Sequence, residues 1–574
     1  MVWTDRTQRR PRAQGLPWCR VLARDRGDSL ALTARRDNDM IRAMAGDFAR
    51  TMAEGYSFDG PTLLLGAPLR DGAVAAPTAV RVPLAMMNRH GLIAGATGTG
   101  KTRTLQLLTD QLSAAGVPVF LADLKGDLSG LAAPGVADAK VLERAKSVGV
   151  EFVPAVSPVE FLSLTGSSGI PLRATVSSFG PLLLARALQL NETQKSVLSL
   201  VFKYCDDQGL LLLDLPDLKA VLQYLGGDGK EALREYGGIS PATVGVLLRK
   251  MIELEQQGGD AFFGEPSFDV DDLLRTGPDG RGVVSALELS DIQDRPDLFS
   301  TFMMWLLASL YRELPEVGDL PKPKLVFFFD EAHLLFEGAD KEFLSQVQQT
   351  VRLIRSKGVG VYFCSQFPDD VPGEVLGQLG NRVQHALRAF TPRDQKAVKT
   401  AAETFVANPK LDVAQVIGQL GVGEALASTL QEGGVPMPVE RTIICPPRCR
   451  MGAATPEERA AVRARSPVGG KYDTPVNRES AYEILTQRAA QAAPAAEPAP
   501  RSSPFPAAPR QAPQPAQPPA RPGRGPLGDL LWGTGRRQGM VESMAKQAAR
   551  TVGSQLGRQI LRGVLGGILG GTRR

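Results

Sequence analysis

Cysteine is scarce in this chain. Its five residues (Cys19, Cys205, Cys364, Cys445, Cys449) are too scattered to outline a disulfide framework. No signal peptide opens the sequence, so a reducing, cytoplasmic setting is expected. No uninterrupted apolar run approaches the roughly 20 residues that span a bilayer. No repeat with a period of 20–50 residues is visible, which excludes solenoids and propellers. Cys445-Pro-Pro-Arg-Cys449 offers one thiol pair with no nearby histidine. A structural zinc wants four ligands, so these read as ordinary thiols. No nuclease constellation is present either.

What remains is a long chain of ordinary globular composition. Its 574 residues exceed one simple domain, with 43% hydrophobic and 22% charged side chains. The net charge of +5 is unevenly placed. Residues 1–50 hold 11 basic and 6 acidic side chains and residues 501–574 hold 12 and 2, which leaves 43 and 53 in residues 51–500. The body is therefore acidic between basic ends. Bulk charge gives a nucleic-acid partner no support, and such a partner would need a local basic surface such as a lined channel.

Residues 1–39 are Arg-rich and aperiodic, and read as disordered; Met40 or Met44 is a candidate start. From residue 88 short apolar strands alternate with helices: strand 90–94, loop 95–100, helix 101–115, then a strand at 117–124. Further strands fall at 283–289, 325–329, 359–365 and 382–389, with helices at 297–312 and 341–357. This alternation predicts an α/β fold with a mostly parallel sheet flanked by helices. Helical spacing from 181 to 275 is too long for a crossover and reads as an inserted subdomain. The expected organisation is thus a core in two parts, 40–180 and 276–490, interrupted by 181–275. Twelve prolines between Pro494 and Pro526 mark 491–530 as an extended linker. Residues 531–574 form a basic tail, helical in period over 540–569. Its glycines weaken a free-standing helix, and contact with an anionic membrane or a protein partner are its candidate roles.

Residues 95–102 match G-x-x-x-x-G-K-[ST] at every position, between a strand and a helix. Gly95, Gly98 and Gly100 let the backbone turn its N–H groups toward phosphates at a helix N-terminus. Ala96, Thr97, Thr99 and Arg103 complete the candidate nucleotide contacts. Lys101 is expected to reach the β- and γ-phosphates and Thr102 to ligate Mg²⁺, so ATP and Mg²⁺ are the expected cofactors. The apolar strand 325–329 ends in Asp330-Glu331, the candidate Mg²⁺ carboxylate and the candidate water-polarising base. Strand 359–365 ends in Ser365-Gln366, and Gln366 is the candidate γ-phosphate sensor. Arg352 and Arg355 precede that strand, and Arg382 and Arg388 follow it; an arginine supplied across a subunit interface would stabilise transition-state charge. Asp330-Glu331-Ala332-His333 invites comparison with DEAH-box helicases, but their Ser-Ala-Thr and Gln-Arg-x-Gly-Arg segments are missing.

The ordered set resembles instead the HerA/FtsK superfamily of RecA-like motors, and within it the cytoplasmic bacterial HerA-like helicase branch. The resemblance spans roughly 55–490. It rests on Arg-His-Gly-Leu-Ile-Ala-Gly-Ala-Thr-Gly-Thr-Gly-Lys-Thr at 89–102 and Leu-Ala-Asp-Leu-Lys-Gly-Asp-Leu-Ser-Gly at 121–130. Phe-Phe-Asp-Glu-Ala-His at 328–333, Arg-Ser-Lys-Gly-Val-Gly-Val at 355–361 and Ser-Gln-Phe-Pro at 365–368 complete it. It implies a RecA-like P-loop NTPase fold and a homo-hexameric ring with ATP at subunit interfaces and DNA, if any, in the pore. It also implies Asp123, Lys125 and Asp127 near the nucleotide, and Arg355, then Arg352, as the arginine given to a neighbour. Archaeal members carry a β-barrel before the motor; the fifty or so residues between Met40 and the loop strand are too few for it. The expected function is an ATP-hydrolysing ring motor working on DNA. A ring acting on protein or RNA, and a non-motor scaffold ordered by nucleotide, are the alternatives.

Overall fold

The computed structural model describes residues 54–492, apart from Asp71, Ala76, Pro77 and Asp294, together with Gly533–Thr534 and Arg537–Gln538. The expectations for residues 1–39, the Pro-rich stretch and the helix at 540–569 lie outside these residues. The chain divides into two units, Met1–Pro494 and Ala495–Arg574. In the second, the described residues form a two-rung antiparallel ladder.

The first unit is built on one sheet of thirteen strands. They are β1 (Thr62–Arg70), β2 (Ala73–Val74), β3 (Val80–Pro83), β4 (Gly91–Ala94), β5 (Val119–Asp123), β6 (Val159–Ser163) and β7 (Ile170–Pro171). After these come β8 (Val284–Glu288), β9 (Leu325–Phe329), β10 (Val359–Ser365), β11 (Asn381–His385), β12 (Glu424–Ser428) and β13 (Glu440–Ile444). Their spatial order is β2-β1-β13-β12-β11-β4-β10-β9-β5-β8-β6-β7, with β3 also paired to β1. The eight strands from β11 to β7 run parallel, and β12, β13, β1, β2 and β3 join antiparallel. A mostly parallel sheet is what the sequence leads one to expect; its antiparallel flank, and β6 and β7, are additions from the structure.

Strand β9 shows why the centre is so apolar. Both faces are covered, so all five of its residues, Leu-Val-Phe-Phe-Phe, are buried. Phe327 stacks on Phe120 with ring centroids 4.2 Å apart, while Phe328 packs against Tyr362 on the other face at 5.1 Å. Helix α1 (Lys101–Ala114) lies in the core on the Phe328 side, through Leu105, Leu108 and Leu112. A short helix, α2 (Ala139–Ser147), follows β5.

On the Phe327 face pack α3 (Val176–Ala187), α4 (Glu192–Gln208), α5 (Leu215–Gly226) and α6 (Pro241–Gln256). They are joined there by α7 (Pro296–Glu313) and α8 (Lys341–Ile354). The helical block begins at 176 rather than 181, because the Thr175 side chain caps α3 by accepting from Ser178 N–H. Gly180 (φ 78°) and Pro181 then break α3 internally. Capping boxes at Asn191/Gln194 and Asp214/Asp217 start α4 and α5. Beyond β11 come α9 (Pro392–Glu403), α10 (Pro456–Ala464) and α11 (Ala481–Ala492). A satellite core of Ala386, Leu387, Ala397, Ala401, Ile417, Leu420, Leu426 and Val439 seats α9 beside β12.

The stacked Phe120–Phe327 pair should dominate local stability. Phe327→Ala is expected to cost about 3–5 kcal/mol, seen as a lower denaturant midpoint in urea unfolding followed by circular dichroism.

Candidate active site

Because β4, β10 and β9 are parallel and in register, their C-terminal ends lie level. Ala94 pairs with Ser365, and Phe363 with Phe329. The glycine-rich loop leaves β4, Ser365-Gln366 leaves β10, and Asp330-Glu331 leaves β9. Strand β10 stands between the other two, so Gln366 emerges between the loop and the carboxylates, partly exposed.

The loop's path demands its glycines. Gly95 has φ 151°, and a Cβ there would stand 2.5 Å from the Cβ of His385. Gly98 and Gly100 have φ of 78° and 125°, a region that disfavours other residues. Helix α1 starts at Lys101 with no side-chain cap, so its first N–H groups remain available at the loop. Neighbouring chain holds the loop in shape. Ala96 N–H donates to Ala386 O at 2.8 Å, Gly423 N–H to Thr99 O at 2.9 Å, and Thr99 Oγ1 to Ala96 O at 2.7 Å. Thr97 and Gly98 are exposed at the crest, and Thr102 is half-buried behind it. Lys101 Nζ donates back to Gly95 O at 2.5 Å. Arg103 donates to Gln106 Oε1 at 2.7 Å, along α1.

Asp330 and Glu331 are buried, at 6% and 4% exposure. Burial, reinforced by the neighbouring Glu331 and Asp123, pushes the Asp330 carboxyl up to about 7. Glu331 has φ 50°, a left-handed backbone at a non-glycine position and a point of local strain. Its Oε1 takes a contact from Lys125 Nζ, and its Oε2 lies 3.4 Å from His333 Nδ1. Lys125 is brought there by Asp123, whose carboxylate accepts from the N–H groups of Lys125 (3.2 Å), Gly126 (2.8 Å) and Leu128 (2.9 Å). Asp123 thus shapes the turn, and Lys125 alone of the Asp123, Lys125 and Asp127 set contacts Glu331.

The arginines fall elsewhere. Arg352 and Arg355 precede β10 and Arg89 precedes β4, so all three lie at the N-terminal ends of these strands, opposite the loop. With Arg382 they line a cavity of about 410 Å³. Arg89 and Arg355 both face the exposed Asp319, at 3.6 and 3.4 Å. Arg382 is committed to backbone, donating to Leu379 O and Leu376 O at 3.0 Å each. Arg388 is exposed beyond β11. The chain therefore does not bring Arg352 or Arg355 to its own loop. Cys445 and Cys449 are buried in the apolar core beside α1.

Sequence reasoning missed His385. Its Nδ1 lies 2.9 Å from Glu424 O and must donate, so its Nε2, 2.8 Å from Thr104 Oγ1, accepts. The ring sits under Gly95 and Gly100, joining the loop to α1 and β12. Burial drives its pKa down to about 4, so it is neutral. It closes β11 (Asn-Arg-Val-Gln-His), which has no apolar run to mark it, and its contact with Thr104 spans 281 residues.

A glycine-rich loop and a carboxylate pair on alternate strands of a parallel sheet define a RecA-like P-loop NTPase. The chain belongs to the family described as Helicase HerA-like C-terminal, whose model matches residues 70–574; it is a P-loop ATPase of the HerA type. No curated protein matches the sequence. Similar solved structures include the plasmid coupling protein TrwB in complex with ADP and Mg²⁺, 15% identical over 68% of this chain and 95% of that one, TM-score 0.43. VirB4 of Thermoanaerobacter pseudethanolicus is 17% identical over 70% and 99%, TM-score 0.41. Among the described residues no helix is long and apolar enough to cross a membrane.

A neutral buried imidazole under the loop makes the fold sensitive to acid. The unfolded chain protonates His385 below pH 6.5 while the folded chain resists until about 4, so stability drawn from the neutral ring is lost as pH falls through that window. The destabilisation caused by His385→Asn should be largest above pH 6.5 and shrink toward pH 4, by up to about 3 kcal/mol, in paired thermal melts across the range.

Proposed function

We propose that the chain is an ATP-hydrolysing ring motor, a HerA-like DNA translocase or helicase. The observation that carries this reading is a separation. Loop, carboxylates and Gln366 gather at the C-terminal ends of the strands, while Arg355, Arg352 and Arg89 gather at the N-terminal ends. A loop end served by Lys101 and Lys125 but by none of these arginines, and an opposite end that carries all three, are complementary when copies are arranged head to tail around a ring. That arrangement, together with the family, supports a homo-hexamer with ATP between subunits.

In this reading the loop N–H groups other than those of Gly95, Ala96 and Thr99, which are bonded within the chain, bind the phosphates, and Lys101 exchanges Gly95 O for the β- and γ-phosphates. Among the described residues no three-ligand metal cluster stands preassembled; Asp330, whose carboxyl burial pushes up to about 7, is the buried acid beside the loop whose charge a divalent cation would offset. Asp330 and Thr102 would hold Mg²⁺, which when bound neutralises developing phosphate charge. Glu331 leaves Lys125 to orient the attacking water and take its proton. Gln366, at the tip of the strand between, registers the γ-phosphate. Arg355 of each copy, with Arg352 and Arg89 beside it, meets the neighbour's γ-phosphate and spreads transition-state charge. The energy is spent on DNA, which the acidic body must contact through local basic surface.

Lys101→Ala and Glu331→Gln should both abolish ATPase activity in a phosphate-release assay, with Glu331→Gln still binding a fluorescent ATP analogue; turnover surviving in either would reject the site. ATPase per subunit should climb with protein concentration and fall about 10³-fold in Arg355→Ala. Duplex or single-stranded DNA should raise the rate most at low salt, and a flat response would remove DNA as the track.

A further inference from the structure

The turn after β11 presents a surface that the nucleotide site does not use. Phe390 is 82% exposed, an unusual position for a large apolar ring. It is not a loose tip. The N–H groups of Phe390 and Thr391 donate to Asp394 Oδ2 at 3.2 and 2.9 Å, and Thr391 and Asp394 form the capping box of α9. The turn is thereby fixed and the ring held outward. Exposed Arg388, Arg393, Lys396 and Lys399 lie along the turn and α9, with Asp394 the one acid within 388–399, while Arg393 pairs with Asp370 and Lys399 lies 3.9 Å from Glu403. In a body with more acidic than basic side chains, this is a local basic ridge with an aromatic at its head.

The ridge is bonded to both halves of the nucleotide site. Ala386 O, four residues before Phe390, accepts from Ala96 of the phosphate loop. Arg393 lies 3.5 Å from Asp370 Oδ1, and Asp370 Oδ2 accepts from Ser365 Oγ at 2.5 Å beside Gln366. A shift of the loop or of the β10 tip on phosphate binding would therefore move the ridge.

We propose that residues 388–399 contact a single strand of nucleic acid, with the Phe390 ring stacking on a base and Arg388, Lys396 and Lys399 meeting phosphates. An exposed ring next to several cations is the arrangement that binds an unpaired strand without reading its sequence, since every base has a face to stack and every nucleotide a phosphate. A duplex keeps its base faces covered, so the ring would have no counterpart there. The inference rests on the DNA-motor reading and adds which strand state is gripped and where.

The test uses the full chain and a fluorescein-labelled oligothymidylate of about 20 nucleotides, followed by anisotropy at several salt concentrations. Phe390→Ala is expected to bind at least 5-fold more weakly, the effect of losing one stacked base, and Phe390→Tyr to restore binding. Lys396→Ala/Lys399→Ala should flatten the slope of log affinity against log salt by about 1.4. ATPase without nucleic acid and mass by light scattering should be unchanged in all three. Wild-type protein that binds the strand while Phe390→Ala binds equally well overturns this inference and leaves the motor reading standing. A change of assembly mass in Phe390→Ala overturns it in favour of a subunit contact. Wild-type protein that binds neither single-stranded nor duplex DNA at low salt overturns both.

Discussion

The parallel register of β4, β10, β9 and β5 is the constraint on which the other features depend. A parallel pair carries its C-terminal ends on the same side, and pairings such as Ala94 with Ser365 and Ala122 with Phe329 leave those ends level. Loop, Gln366, Glu331 and Lys125 are separated by up to 271 residues in sequence and by one strand spacing each in space. A slip of one residue in any of these strands would turn its buried side chains to the wrong face and displace its tip. Specific packing on each face, Phe120 on Phe327 and Phe328 against Tyr362, opposes the slip. The same register puts Arg89 and Arg355 together at the opposite ends of the strands, because each precedes a strand whose C-terminal end lies at the loop.

Electrostatics at the loop edge is a balance of buried groups. Asp330, Glu331 and Asp123 concentrate negative charge where water is excluded, which is unfavourable for each of them. Asp123 is offset by three backbone N–H groups. Glu331 is offset by Lys125, and Asp330 by a carboxyl that holds its proton near neutrality. Lys101, turned onto Gly95 O, stands close enough for Glu331 and Asp330 to act on it. A triphosphate with its cation would reorganise all of these partners at once.

The parts of the site legible in the sequence are those written in one short stretch. The loop needs a strand, glycines, Lys101 and a helix within about a dozen residues, and Asp330-Glu331 follows an unmistakable apolar run. Lys125 was reached only through family resemblance, since its contact with Glu331 spans 206 residues. His385 was not reached at all, because a lone histidine at the end of a short, largely polar strand has no local signature. The same limit hid β6, β7 and the antiparallel flank. Strands as short as Ile170–Pro171 exist only by virtue of their partners, and β1 pairs with β13 across almost the whole described chain. The start of the helical block differed by five residues because a cap at Thr175 precedes the break at Gly180 and Pro181.

Thirteen strands in one sheet would leave two long edges, and an open edge is a template for another chain to add to. Here the path ends on two-residue strands, β2 on one side and β7 on the other, and β7 contains Pro171, which has no N–H to offer. Fibril-like growth by strand addition is thereby blunted at both ends. Any association between copies of this chain would then run through side chains, and such contacts would open and close more readily than a shared ladder of backbone hydrogen bonds.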